Sequence, residues 1–425
     1  MNKKNNTSHT KTPKILQRIQ FSPLALEIIK KLKKSGFTSY LVGGCVRDSL
    51  VGIKAKDFDV STNATPEEVR RIFKASRIIG KRFRLVHVFS RNELIEVSTF
   101  RANTSVSNDA GIIKDSEGKI LRDNVWGTLE EDCIRRDFSV NALYYDPIEN
   151  NFCDFHSGLK HIQKKIIVSI GDPLVRFEED PVRSLRAIRF SSKLKFKISS
   201  EVKEAIYKKG HLLENISNAR MFDEFCKIFL SNEALNNFNK LNSYGILKYL
   251  IKTKNYKENS FNYKFQKGAL VNTDNRIKNA KSVTPGFLIA ALLWPRLIDA
   301  CKEQGGLNLR KFFRNMDRVI REQQELTAIP RKFHGYIKDI WSLQLKLETR
   351  LGHQPYKILN HPRFRAAYDF LLLREEAAND FQGLGEWWTK FQKINRPAKI
   401  DLIKKLKESR VKPIEKKFGF YEELS

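Results

Sequence analysis

The segment Lys56-Asp57-Phe58-Asp59-Val60 sets two carboxylates one residue apart among apolar neighbours. On a strand successive side chains alternate, so Asp57 and Asp59 are predicted to share one face while Phe58 and Val60 take the other. Carboxylates roughly 7 Å apart along a strand can converge on a hard, oxygen-preferring cation, for which Mg²⁺ is the natural choice. Two-metal sites of that kind activate an attacking hydroxyl and stabilise leaving phosphate oxygens. A plain solvent-facing strand would carry the same two residues. The upstream run Leu41-Val42-Gly43-Gly44-Cys45-Val46-Arg47-Asp48 favours the chemical reading. Paired glycines let backbone approach a phosphate closely, a following helix offers free N–H groups, and Arg47 one turn in can reach the same anion. No GxxxxGK[ST] loop occurs in it.

Two further clusters lie downstream. Arg135-Arg136-Asp137 follows Glu130-Glu131-Asp132 and precedes Phe138-Ser139-Val140-Asn141. Arginine forks suit triphosphate oxygens and ribose hydroxyls. Asp137 is either a third catalytic carboxylate or the group that orients an arginine, and Glu96, on the run Leu94–Phe100, is its rival. In Glu179-Asp180-Pro181-Val182-Arg183-Ser184-Leu185-Arg186-Ala187-Ile188-Arg189-Phe190, Pro181 suits a first helical turn with Asp180 near the cap. Arg183, Arg186 and Arg189 then follow at intervals of three on one face. A carboxylate heading an arginine stripe can read a base edge; a solvated charged helix face is the plainer alternative.

These groups need a scaffold. Short β-branched runs (Leu41–Val42, Phe58–Val60, Phe83–Phe89, Leu94–Phe100) alternate with helical segments up to about Ile170. Thr65-Pro66-Glu67-Glu68 has the form of a capping box. Beyond Asp172 only helical periodicity is evident, which predicts an α/β head followed by an all-helical body. The expected divisions are a basic tail and lead-in helix (1–37), a head (38–171), a helical neck and body (172–250), a polar linker or loop (251–285), a helical C-terminal region (286–403) and a basic tail (404–425).

The 425 residues carry 78 basic and 48 acidic side chains, a net charge of +30. That far exceeds the roughly 2–8 charges that keep a small domain soluble, and it points to a polyanionic partner. Residues 101–150 reverse the sign, with 6 basic and 10 acidic side chains, as a cation-using active site would. Five cysteines, none in CxxC spacing, argue against disulfides and zinc and for a reducing cytoplasm. The longest apolar run, Phe287–Trp294, is far short of the ~20 residues of a membrane span.

Taken in order, the LVGG–VRD, DFD, RRD and EDxxR motifs resemble the class II branch of the polymerase-β nucleotidyltransferase superfamily, which holds CCA-adding enzymes and bacterial poly(A) polymerases. The segment Ile79–His87 and the C-terminal runs His361–Leu371 and Leu384–Trp388 are similar to the poly(A) polymerases. Cys45 and Ser184 depart from the usual residues without removing a charge. The resemblance implies a nucleotidyltransferase head that transfers AMP from ATP to RNA 3′ ends with release of pyrophosphate, in RNA processing and decay. It implies Asp57, Asp59 and Asp137 as catalytic residues, with Mg²⁺ on the first two. Gly43, Gly44, Arg47 and Arg136 would hold triphosphate and ribose; Asp180 and Arg183 would pair with the base, with Arg186 and Arg189 close by. The alternatives are a CCA-adding enzyme using CTP and ATP, and a non-catalytic basic RNA-binding protein.

Overall fold

The computed structural model describes residues 11–55, 57–80, 84–91, 93–102, 112–114, 120–123, 125–304, 308–378 and 383–408. Residues 1–10 of the expected N-terminal tail, Lys81 to Phe83 of the Ile79–His87 segment and residues 409–425 of the basic tail lie outside them. The chain forms two compact units, residues 1–209 and 210–425.

The first unit is built on strands β1 (Ser39–Val42), β2 (Asp59–Thr62), β3 (Ser76–Ile79), β4 (Leu85–Ser90), β5 (Glu93–Thr99), β6 (Ile112–Lys114), β7 (Ile120–Asp123), β8 (Leu143–Asp146) and β9 (Asn151–Asp154), with the two-residue strands β10 (Ile166–Ile167) and β11 (Lys197–Ile198). Seven of them make one sheet in the order β3-β4-β5-β2-β1-β8-β9, in which β2 and β5 run parallel. Its helices are α1 (Pro23–Lys34), α2 (Gly44–Leu50), α3 (Pro66–Ile72), α4 (Leu129–Arg135), α5 (Gly158–Gln163), α6 (Pro173–Glu179), α7 (Val182–Leu194) and α8 (Ser200–Lys209). Ala25, Ile28, Ile29 and Leu32 of α1 are fully buried, as a 3.6-residue apolar stripe requires. The Thr65–Glu68 capping box forms and opens α3.

The second unit is helical: α9 (Asn218–Phe229), α10 (Ala234–Ser243), α11 (Phe261–Lys278), α12 (Pro285–Glu303), α13 (Leu309–Gln324), α14 (Arg331–Leu347), α15 (Gln354–Leu359), α16 (Phe364–Ala378), α17 (Leu384–Lys393) and α18 (Arg396–Glu408). Trp294 of α12 is fully buried against Phe312 and Phe370, with the Arg374 guanidinium stacked on it. No helix among the described residues is long and apolar enough to cross a membrane.

Two expectations need correction. The stretch 251–285 is not a linker or loop, because α11 occupies most of it; Phe265, Ala269 and Leu270 are buried along with Gln266 and Thr273, so packing makes a helix of a polar sequence. Helix α18 continues past 403 to Glu408, so the start of the predicted tail is helical. Of the ten acidic residues in 101–150, Glu130, Glu131 and Asp132 lie in the first turn of α4, at the positive end of the helix, where Thr128 and Glu131 form a second capping box. Of the five cysteines, Cys45, Cys133, Cys153 and Cys301 are buried and Cys226 is partly so.

Candidate active site

The register of the sheet lines up four ionisable residues. Asp59 of β2 pairs with Glu96 of β5, Glu96 with His87 of β4, and His87 with Arg77 of β3. Directly paired residues of neighbouring strands project to the same face, so Arg77, His87, Glu96 and Asp59 form one row across the sheet. His87 Nε2 lies 3.2 Å from Glu96 Oε1. Strand β2 begins at Asp59, and this corrects the prediction of two aspartates alternating along a strand: the ladder to β5 starts at the Asp59–Glu96 pair, and Asp57 stands exposed in the loop before it. Asp57 is still within electrostatic reach. Burial, reinforced by the negative charges of Glu96 and Asp57 and opposed by Arg136, pushes the Asp59 carboxyl up to about 6.

Asp137 stands apart from this row. Its Oδ1 accepts from the Phe138 N–H and from Asn141 Nδ2 at 2.8 and 2.9 Å, and its Oδ2 accepts from Arg186 Nε at 2.7 Å. Burial alone would raise its carboxyl, but the Arg186 guanidinium and these donors outweigh it and hold the group below the usual carboxylate range. Of the two candidates for a third carboxylate, Glu96 therefore shares the row with Asp59, while both oxygens of Asp137 are engaged inside the unit.

The turn between β1 and α2 requires glycine at its first position. Gly43 has φ +71°, and a Cβ there would lie 3.3 Å from Arg136 Nη1 and 3.6 Å from the Asn141 carbonyl. Arg136 donates from Nε to Tyr144 Oη at 2.7 Å and from Nη2 to Asp132 at 3.2 Å, while its ring-facing side lies over Tyr144. Burial works against its charge, yet these partners keep the guanidinium firmly protonated. Arg47 turns inward. It is 3% exposed, donates to Asp48 and to Asn141 Oδ1, and rests on the Phe190 ring. Asp48 in turn accepts from Lys193 of α7 at 2.7 Å. A continuous polar chain thus links Lys193, Asp48, Arg47, Asn141, Asp137 and Arg186, tying α2 to both ends of α7.

The α6–α7 corner carries the rest. Asp180 closes α6 and accepts from the Val182 N–H at 3.3 Å, with Pro181 at the cap position of α7. Arg183 donates to the carbonyls of Arg135 and Arg176, each at 3.3 Å. Arg186 and Arg189 lie with Arg47 around Phe190, their guanidinium carbons 5.3, 4.5 and 4.9 Å from its ring centre. The structure therefore brings Gly43, Arg47, Arg136, Asp137, Arg183, Arg186 and Arg189 into one neighbourhood of the head. Sequence reasoning missed Arg176, whose Nη2 donates to the carbonyls of Ile134, Arg135 and Arg136 at the end of α4, and it gave no role to Phe190, Asn141, Tyr144 or His87. The spacing within RRDFSVN was the available signal for Asn141; nothing local marks Arg176.

The carboxylates of Asp59 and Glu96 on a mixed sheet of this order, with a cationic, glycine-floored turn in the same head, define a nucleotidyltransferase head. Three family models match in series: the poly A polymerase head domain over residues 39–168, the probable RNA- and SrmB-binding site of polymerase A over 195–256, and the polymerase A arginine-rich C-terminus over 305–418. Poly(A) polymerase I of Haemophilus influenzae is 40% identical over 407 residues, covering 93% of this chain and 90% of that one. The CCA-adding enzyme of Bacillus licheniformis is 37% identical over only 210 residues, about half of each chain. Among solved structures, the Bacillus stearothermophilus CCA-adding enzyme in complex with CTP superposes with a TM-score of 0.56 at 27% identity, over 88% of this chain and 82% of its own. This chain belongs to the poly(A) polymerase family and is a polynucleotide adenylyltransferase.

Proposed function

We propose that the enzyme adds AMP from ATP to the 3′ hydroxyl of RNA, repeatedly and without a template, in the processing and decay of mRNA and other RNAs in the cytoplasm. The observation that carries this reading is the match to poly(A) polymerase I along nine-tenths of both chains, against half of each for the CCA-adding relative. In the reaction the RNA 3′ oxygen forms a bond to the α-phosphorus of ATP, the bond from that phosphorus to the β-phosphate oxygen breaks, and pyrophosphate leaves. The proton of the hydroxyl passes to solvent or to a carboxylate of the row.

The donor set suits Mg²⁺. Among the described residues no three His, Cys, Asp or Glu side chains gather into a metal cage. Mg²⁺ favours one or two carboxylates and takes its remaining ligands from water and substrate phosphates. Asp57 and Asp59 would hold it with Glu96 beside them, in a place where the crowding of like charge around Asp59 already calls for a cation. Bound there, it supplies charge neutralisation at the attacking and leaving oxygens. Gly43 and Gly44 leave room for the triphosphate against backbone, and Arg136 faces it. Arg47, Asp137, Arg186 and Arg189 keep that wall rigid. Asp180 and Arg183 read the adenine edge.

Purified protein, an RNA lacking terminal CCA and each nucleoside triphosphate in turn provide the test. ATP alone should yield open-ended A tracts, and sequencing of products made from all four triphosphates should show the same tracts. Products that end at CCA would overturn the reading in favour of tRNA repair.

A further inference from the structure

The C-terminal unit contains a cavity of about 280 Å³ near the end of α11, lined also by residues of α12, α14 and α16. We infer that it is a second RNA site, which holds one phosphodiester and its base in the strand upstream of the 3′ end. This rests on the reading that RNA is the substrate.

Three arginines from two separate stretches of chain line it: Arg276 near the end of α11, Arg363 just before α16, and Arg365 in its first turn. Against these three positive charges stands one carboxylate, Asp369, which accepts from Arg365 at 3.1 Å. The cavity is left two charges positive, one more than a single phosphodiester neutralises. Burial raises the Asp369 carboxyl even with Arg365 and Arg276 near it, as expected where solvent is partly excluded and electrostatics are correspondingly strong. Arg276 is fixed in the wall by donating both Nε and Nη2 to the Ser282 carbonyl.

The sequence of this wall divides its labour. In His361-Pro362-Arg363-Phe364-Arg365, Phe364 is buried in the helical core, while Arg363 and Arg365 are exposed to the cavity side. His361 Nδ1 accepts from the Arg363 N–H and shapes the turn that presents them. Arg363 lies 4.9 Å from the centre of the Tyr336 ring, and Tyr336 Oη meets Thr284 Oγ1 at 3.3 Å. Arginines interleaved with aromatic rings accept phosphates and base faces with no sequence code, the kind of grip that suits single strands. At about 280 Å³ the cavity falls just below the roughly 300–1,000 Å³ of small-molecule sites, small enough for a single nucleotide. The overall charge of +30 makes the polyanion, rather than a free nucleotide, its occupant.

Full-length protein with Arg363→Ser and Arg365→Ser together, and separately with Tyr336→Leu, tests this by fluorescence anisotropy with a labelled single-stranded RNA across a salt series. Losing the one phosphodiester that the site holds should lower the slope of log affinity against log salt by roughly 0.7. Tyr336→Leu should weaken binding roughly 5- to 100-fold with less change in slope. At saturating RNA both variants should keep wild-type adenylation and ATP KM, so that wild-type protein failing to adenylate would count against the proposed activity and leave this site standing. Unchanged RNA affinity and slope in the arginine variant would overturn the inference. So would RNA affinity that stays unchanged while the variant loses the binding of free AMP or inorganic phosphate, which would mark a small-anion pocket instead.

Discussion

Arginine does opposite work in the two units. In the head, Arg47 is buried and tied to Asp48 and Asn141, and the partly exposed Arg186 is held by the buried Asp137. In the C-terminal unit, Arg363 and Arg365 are exposed, although Asp369, the partner of Arg365, is itself partly buried. A buried cation has exchanged water for fixed partners and so holds geometry; an exposed one keeps its field for a visiting anion. The +30 charge of the chain is therefore not one property. Part of it is architecture and part of it is grip.

Changes in the head should cost catalysis or stability, and changes at the C-terminal cavity should cost RNA binding alone. The largest expected effect is at Asp59, where Asp59→Asn should lower single-turnover AMP transfer on the order of 10⁴-fold, the scale of losing an essential carboxylate, with RNA affinity retained. Near-wild-type extension would remove Asp59 from the catalytic row.

Arg186→Ala comes next. It removes the charged partner of the buried Asp137, which keeps only its two Oδ1 donors, for a loss of about 1–3 kcal/mol in the unfolding free energy of the head, read from denaturant titration. Asp137 also sets an acid limit. Its folded pKa lies below the usual value of 3.8, so its contribution is present above that pH and drains away as the pH falls through the folded value. Asp137→Asn should flatten the acid unfolding profile below about pH 4. An unaltered profile would mean that the pair contributes little.

Arg183→Ala should relax the preference for ATP over GTP by about 1–3 kcal/mol, measured as a ratio of kcat/KM values. A stability loss with the preference intact would assign Arg183 to the α6–α7 corner alone. The smallest effect should be at Arg365→Ala, within about 0.5–1 kcal/mol of wild-type stability because the Arg365 side chain is exposed. A loss as large as that of Arg186→Ala would erase the contrast between the two units.

Much of this was legible in the sequence because local rules sufficed. The strand runs, the Thr65–Glu68 capping box and the shift from mixed to helical periodicity all appear where short-range pattern places them. The motif series also named the pair Asp57 and Asp59. Its register did not follow, since where β2 starts depends on its partner β5, more than thirty residues away, and that partner brings Glu96 and His87 into the row. Helix α11 was hidden because two of its five buried residues are polar, Gln266 and Thr273, and Gln266 bonds to the Leu292 carbonyl of α12. The inward turn of Arg47 was likewise beyond reach: a one-dimensional pattern names a guanidinium but not the Asn141 that receives it.

The burial of the thiols has a practical consequence. Low dielectric surroundings hold the Cys45 and Cys153 thiols up at about 11, and the partly covered Cys226 at about 11 as well. Alkylation proceeds through the thiolate, so near neutral pH maleimides and haloacetamides should react slowly with all of them. An R365C variant would then offer a lone fast-reacting sulfur at the rim of the arginine cavity. A fluorophore placed there could report the passage of a growing tail one nucleotide after another, with no native cysteine first having to be removed.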